Sequence, residues 1–154
     1  MTDALALSRI EAFKPLPPEA LAQLAALGRK RTFRPGTVLM RQGEPSDSVY
    51  AILNGLVRVE RFHPALTEAL VLAELGAGEL VGEMGVLDGA PRSATVTAIV
   101  DTESVELSAS TLASSLLRYP EATALLLRTF SRRLRSADEL AEQICRGFPS
   151  SAFP

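Results

Sequence analysis

Gly82-Glu83 and Pro91-Arg92-Ser93-Ala94 frame a glycine-bearing stretch whose groups can hold one small, singly charged ligand carrying a ribose. Gly82 has no side chain, so the backbone there can approach a ligand closely. Glu83 to Leu87 suit a short helical turn whose free N–H groups can point at an anion. Arg92 supplies a full positive charge on a planar fork of donors. Glu83 would be repelled by a phosphate, but an ionised carboxylate accepts a strong hydrogen bond from a ribose hydroxyl. Arg92 nearby would keep it ionised. Ser93 adds a hydroxyl for a phosphate or a base edge. A cyclic nucleotide asks for this combination. The same residues also fit an ordinary Glu83–Arg92 ion pair with glycines serving turns, and a short motif does not separate the two.

The rest of the composition narrows the alternatives. The chain has 154 residues, 47% hydrophobic and 22% charged, enough for one domain over residues 1–154 with a real core. A net charge of -2 weighs against a nucleic-acid-binding surface. With one cysteine, Cys145, no internal disulfide can form. With one histidine, His63, no imidazole cluster can hold a metal, so no metal is expected. No nucleophile–base pair stands out, and an enzyme is not expected. There is no basic segment followed by an apolar run at the N-terminus and no window of eighteen apolar residues. The reading is a soluble, cytoplasmic protein without membrane contact.

The elements that must position these residues fall into three zones. Residues 4–28 read as helical, with Pro18 in a first turn, Leu21, Leu24, Ala25 and Leu27 as an apolar stripe, and Gly28 as a C-terminal cap. Residues 31–108 carry strand patterns at Val49–Leu53, Leu56–Glu60, Ala69–Leu75, Ala94–Val100 and Ser104–Leu107. Glycine turns separate them, and Asn54-Gly55 between apolar runs signals a hairpin. Short strands at this spacing predict a small antiparallel barrel or roll, mainly β with flanking helices. Residues 109–145 are helical again: a short helix capped by Ser108 or Ser110, then a long one from Pro120 to about Ile144, with a tail over 146–154. Leu127, Phe130, Leu134, Ala137, Ala141 and Ile144 make a heptad-like seam on the long helix, which fits packing on the roll and pairing with a twin.

Three blocks together resemble the cyclic nucleotide-binding domain family, the sensory module of catabolite activator protein, cyclic-nucleotide-dependent kinases and gated channels. Arg34 to Val59, with its Gln42-Gly43-Glu44 turn and Gly55, resembles the family's first strands. Gly78 to Val96 resembles its phosphate-binding cassette, and the Ser131-Arg132-Arg133-Leu134 helix resembles its hinge-and-lid helix. The resemblance implies a β-roll (double-stranded β-helix or jelly roll) in which Gly82 and Glu83 contact the ribose and Arg92 the cyclic phosphate. Ser93 would contact the phosphate or base, with Met84 and Ala94 offering backbone N–H groups or pocket wall. In catabolite activator protein a Thr-Ser pair on the lid helix meets adenine; the aligned positions here are Ala137 and Asp138. Asp138, an acceptor, fits the adenine amino group or the donor edge of guanine, so Ser93 leans to cyclic AMP while cyclic GMP stays open.

The chain ends about ten residues after Ile144, where transcription factors of this family continue into a winged helix-turn-helix. The expectation is therefore a stand-alone sensory module. It would bind cyclic AMP or cyclic GMP and signal through its C-terminal helix to an unknown protein partner or to a second subunit of a homodimer. A ligand-independent dimerisation scaffold that keeps the roll is the alternative. Arg128, Arg132 and Arg135, with Arg133 beside them, read as a solvated helix face, and no direct DNA binding is expected.

Overall fold

A computed structural model describes residues 4–147, apart from the side chains at 84, 87, 88, 136–138, 140, 141 and 143–147. The N-terminal zone is not one helix. It breaks into Ala4–Ser8 (α1), a 3-10 turn at Glu11–Phe13, and Pro18–Leu27 (α2), which opens on its proline as expected. The buried face of α2 is Ala20, Leu21, Leu24 and Ala25, while Leu27 is exposed. Gly28 ends the helix by donating its N–H to the Leu24 carbonyl, in an extended rather than a left-handed conformation.

Eight strands follow: Arg29–Phe33 (β1), Val38–Met40 (β2), Ser48–Asn54 (β3), Leu56–Arg61 (β4), Leu70–Gly76 (β5), Leu80–Val81 (β6), Thr95–Ala98 (β7) and Thr102–Ser108 (β8). They form two four-stranded antiparallel sheets, ordered β1-β8-β3-β6 and β2-β7-β4-β5. Sequence patterns missed β1, β2 and β6, which are too short or too charged to alternate clearly. The protein is thus an antiparallel β-roll with flanking helices.

Asn54-Gly55 does not make a hairpin. β3 and β4 lie in different sheets, and Gly55 is the corner at which the chain crosses from one to the other. Its φ is 107°, and a Cβ there would stand 2.6 Å from the Asp101 carbonyl oxygen and 2.7 Å from the Thr102 Cα. The glycine answers to the neighbouring β7–β8 turn, a constraint invisible to a local turn rule.

β3 shows why Val49-Tyr50-Ala51-Ile52 is apolar without alternating. Val49 and Ala51 face one core, shared with Leu7, Phe13 and Leu24 of the N-terminal segment. Tyr50 and Ile52 face a second core inside the roll, with Phe33, Val57 and Val96. A strand buried on both faces reads as a continuous apolar run.

After β8, Ser108 caps Ala109–Arg118 (α4), its hydroxyl accepting from the Thr111 N–H at 3.1 Å. Pro120–Gly147 (α5) follows. α5 rests on the outer core through Ala122 and Leu126, which are buried. Of the expected seam, Leu127 and Leu134 point away from that core, 52% and 40% exposed, and Phe130 is half-buried. Packing on that core therefore does not explain the seam at 127 and 134. The side chains of Ala137, Ala141 and Ile144, and of Cys145, lie outside those described. Among the described residues no helix is long and apolar enough to cross a membrane.

Two glycines with similar backbone angles separate the effects of conformation and crowding. Gly36 has φ 86° with nothing near its missing Cβ, whereas Gly55 is crowded by backbone. Gly36→Ala is expected to cost about 1 kcal/mol for the left-handed conformation alone. Gly55→Ala is expected to cost about 3 kcal/mol, because backbone must shift as well. Urea denaturation of both variants checks this; equal losses would remove the role given to the β7–β8 contact.

Candidate functional site

The cassette begins where β6 ends. Gly82, with φ 92°, turns the chain from β6 into the short helix Glu83–Asp88 (α3). A Cβ on Gly82 would lie 2.6 Å from Nη1 of Arg92 and 3.0 Å from Cε of Met40. The bare glycine lets the guanidinium fold back against the strand end, where Nη1 donates to the Gly82 carbonyl at 3.2 Å. The other arm, Nη2, reaches the Ser48 hydroxyl at 3.4 Å.

The Arg92 main chain is pinned as firmly as its side chain. Its N–H donates to the Glu44 carbonyl at 2.7 Å, and its carbonyl accepts from the Gly43 N–H at 2.9 Å. The Gln42-Gly43-Glu44 turn thus grips the cassette exit from outside. Behind Ser48 a polar chain continues into the roll. Glu106 accepts from Tyr50 at 2.8 Å and pairs with Arg31 at 3.3 Å. Burial first, and then the Glu106 carboxylate, push the Tyr50 hydroxyl up to about 12.

Glu83 is 2% exposed and Arg92 6% exposed, yet they are not partners of each other. Glu83 pairs with Arg133 of α5, fifty residues downstream. Arg133 also donates to the Leu80 carbonyl at 2.7 Å and to Glu79 at 2.9 Å. This corrects two expectations. The ordinary Glu83–Arg92 ion pair is not formed, and the cation that Glu83 meets is Arg133 rather than Arg92. Nor does Arg133 belong to the solvated face assigned to Arg128, Arg132 and Arg135; it is a functional residue that sequence reasoning missed. Its signal was present only as one basic residue among four on a helix, with nothing local to mark its partner.

Glu83, Arg92 and Arg133 line one cavity of about 730 Å³, within the range of small-molecule sites, about 300–1,000 Å³. Gly82, Ser93 and Ala94 line it too. Its apolar wall comes from Met40, Val59, Leu72, Ala73, Leu75 and Val96, and Thr129 and Leu134 of α5 close one side. None of that wall was singled out from the sequence, since each residue looks like ordinary strand core. Ser93 is exposed at the mouth, and Ala94 is buried. Met84 lies on α3 and Asp138 on α5, with side chains outside those described, as is that of Ala137.

The arrangement offers one buried carboxylate and one buried guanidinium, each already hydrogen-bonded but open to the cavity, beside an apolar wall large enough for a flat ring. A monoanion with a hydroxyl-bearing sugar and a flat apolar base matches it group by group.

The chain is 32% identical over 144 residues to the CRP-like cAMP-activated global transcriptional regulator of Mycobacterium tuberculosis, covering 93% of this chain and 64% of that protein. It is 32% identical to the crystal structure of Thermus thermophilus catabolite activator protein, with a TM-score of 0.74, over 88% of this chain and 63% of that one. In both cases the chain spans somewhat under two thirds of its relative. The cAMP-bound PfPKA-R structure shares the fold at 19% identity, with a TM-score of 0.78 over 97% of this chain and 48% of that one. A family model for the cyclic nucleotide-binding domain matches residues 30–119, more than half of the chain, which therefore belongs to the cyclic nucleotide-binding domain family.

Proposed function

We propose that this protein is a sensory module that binds a cyclic nucleotide, cyclic AMP with cyclic GMP as the second choice, and signals by movement of α5. The observation that carries the reading is the placement of buried Glu83 and Arg92 on one cavity without pairing to each other. A carboxylate and a guanidinium this close in sequence would ordinarily neutralise each other. Here each keeps polar capacity for a ligand that has a hydroxyl for one and a phosphate oxygen for the other. Gly82 and Glu83 take the ribose, Arg92 and Ser93 the cyclic phosphate, and Ala94 with the backbone N–H of Met84 completes the cradle. The base lies on the Val59–Leu75 wall, toward α5, where Asp138 is the candidate reader of its edge.

The link to α5 supports the signalling half of this reading. Arg133 joins the helix to the same carboxylate that would receive the ribose. A ligand that changes how Glu83 shares itself between the ribose and Arg133 has different affinities for two helix positions, which is the requirement for shifting them. The readout is a partner protein or a second copy. For the second copy, α5 offers exposed Leu127 and, seven residues on, Leu134, which is part-exposed but also borders the cavity. The relatives' names support a regulatory rather than a catalytic role.

Three outcomes are expected. Titration calorimetry gives a micromolar or tighter Kd for cyclic AMP or cyclic GMP, and Arg92→Ala weakens it by about 10- to 100-fold, the worth of a charged hydrogen-bonded contact. If the unaltered chain binds neither nucleotide below about millimolar, the reading is lost. Arg133→Met leaves Glu83 buried without its cation and lowers stability by about 3 kcal/mol, and adding Glu83→Gln restores much of it. Chemical denaturation of the two single variants and the double variant tests for that coupling. In light scattering, the unaltered chain runs as a dimer and Leu127→Asp as a monomer; identical masses would remove the α5 interface.

A further inference from the structure

The Gln42-Gly43-Glu44 turn carries a side chain that no ligand contact explains. Gln42 follows β2, at the edge of the sheet ordered β2-β7-β4-β5. Its amide Nε2 donates to the Phe62 carbonyl at 3.0 Å, and its Oε1 accepts from the Phe62 N–H at 2.8 Å. Its own N–H donates to the Thr95 hydroxyl at 3.0 Å. A primary amide bonded in this way to both polar groups of one peptide residue imitates the main chain of a neighbouring strand.

The register tells which strand residue it replaces. β4 and β7 pair as Val59↔Val96 and Glu60↔Thr95, and the ladder ends there. Continued by two residues, the same antiparallel register would set Ser93 opposite Phe62. Instead β7 begins at Thr95, while Ser93 and Ala94 depart from the sheet and line the cavity. Phe62 would then lose its strand partner. Gln42 reaches across the gap from the far side of β7 and fills it. The residues next to Gln42 meanwhile hold Arg92 at both its N–H and its carbonyl.

From this we infer that Gln42 is a positioning residue for the cavity: its amide occupies the ladder place of Ser93, and so holds the Arg92–Ala94 segment off the sheet and turned toward the ligand. The inference rests on the cyclic-nucleotide reading above for its functional meaning, while its structural content stands on the ladder alone. Gln42 touches no ligand in this account; it acts through residues 92–94. Arg61, one residue before Phe62, also lines the cavity, so the same amide fixes the spacing of two cavity walls.

Gln42→Met keeps the length of the side chain and removes both amide bonds. Gln42→Glu keeps an acceptor for the Phe62 N–H but sets a carboxylate against the Phe62 carbonyl, and provides a second variant should the first fold poorly. Two readouts are taken on the full chain. By NMR, both variants shift the amide resonances of Ser93 and Ala94 and speed hydrogen exchange at Gly43 and Arg92. By calorimetry, Gln42→Met weakens cyclic AMP binding about tenfold, the worth of one to two net hydrogen bonds, and Gln42→Glu does so by a similar amount. Gly36→Ala, which lowers stability away from the cassette, serves as the control and leaves the Kd within twofold. If the resonances of residues 92–94 stay in place in both variants, Gln42 does not position them. The inference is equally overturned if the affinity loss merely matches that of the Gly36→Ala control. If the unaltered chain binds no cyclic nucleotide, the functional reading is what falls, and the resonances of residues 92–94 still decide the role of Gln42.

Discussion

A carboxylate that is 2% exposed in an apolar roll sets the terms for everything around it. Removing such a charge from water costs several kcal/mol unless a cation and further donors meet it. Glu83 finds its cation on α5, in Arg133, and Arg133 in turn is braced by Glu79 and the Leu80 carbonyl. The long helix is therefore not simply laid against the roll by hydrophobic contact. Ala122 and Leu126 seat its first turns in the outer core, and the Arg133 ion pairs with Glu79 and Glu83 then fix its middle to the cassette. The cavity lies between those two attachments, walled by the roll on one side and by α5 on the other.

Arg92 is held on a different principle. Among the described residues its guanidinium has neutral acceptors, a carbonyl at Gly82 and a hydroxyl at Ser48, so its charge is oriented but not cancelled by either. The nearest acid on that path is Glu106, one hydrogen-bonding group further on and already shared between Tyr50 and Arg31. An oriented, uncancelled cation facing a cavity is what an anionic ligand needs, because little of its binding energy goes into displacing a protein counter-ion. Glu83 and Arg92 are thus kept apart by giving each a better alternative, and α5 is the source of one of them.

Much of this was legible in the chain, and the parts that were not share a cause. The roll could be read from short strands and glycine turns, Ser108 and Pro120 from capping and helix-start rules, and the cassette from Gly82, Glu83 and Arg92. Local chemistry decides those features. Asn54-Gly55 misled because the same dipeptide serves a tight hairpin and a corner between sheets, and only the β7–β8 turn, nearly fifty residues away, decides which. Arg133 was hidden for the same reason. Helical periodicity set it beside three solvated arginines, whereas its role comes from carboxylates that the roll brings to it from fifty residues upstream. The cavity wall at Val59, Ala73 and Leu75 was hidden because strand residues facing a cavity and strand residues facing a core obey one pattern.

The roll's geometry also explains why the cavity and α5 share a single residue. A ladder that ran on to Ser93 would fill the place the cassette exit now leaves open, so the sheet must stop at Thr95 for a cavity to exist at all. Stopping it exposes main-chain groups at Phe62 and leaves α3 and Arg92 without a neighbouring strand. The Gln42 turn repairs the first, and the Gly82 carbonyl and Ser48 steady the second. What remains is the charge of Glu83, which among the described residues pairs with no cation of the sheets. The cation comes from outside the roll, from α5, which is packed there. Glu83 thus lines the cavity and holds α5 at once. That double duty follows from where one buried carboxylate finds its partner.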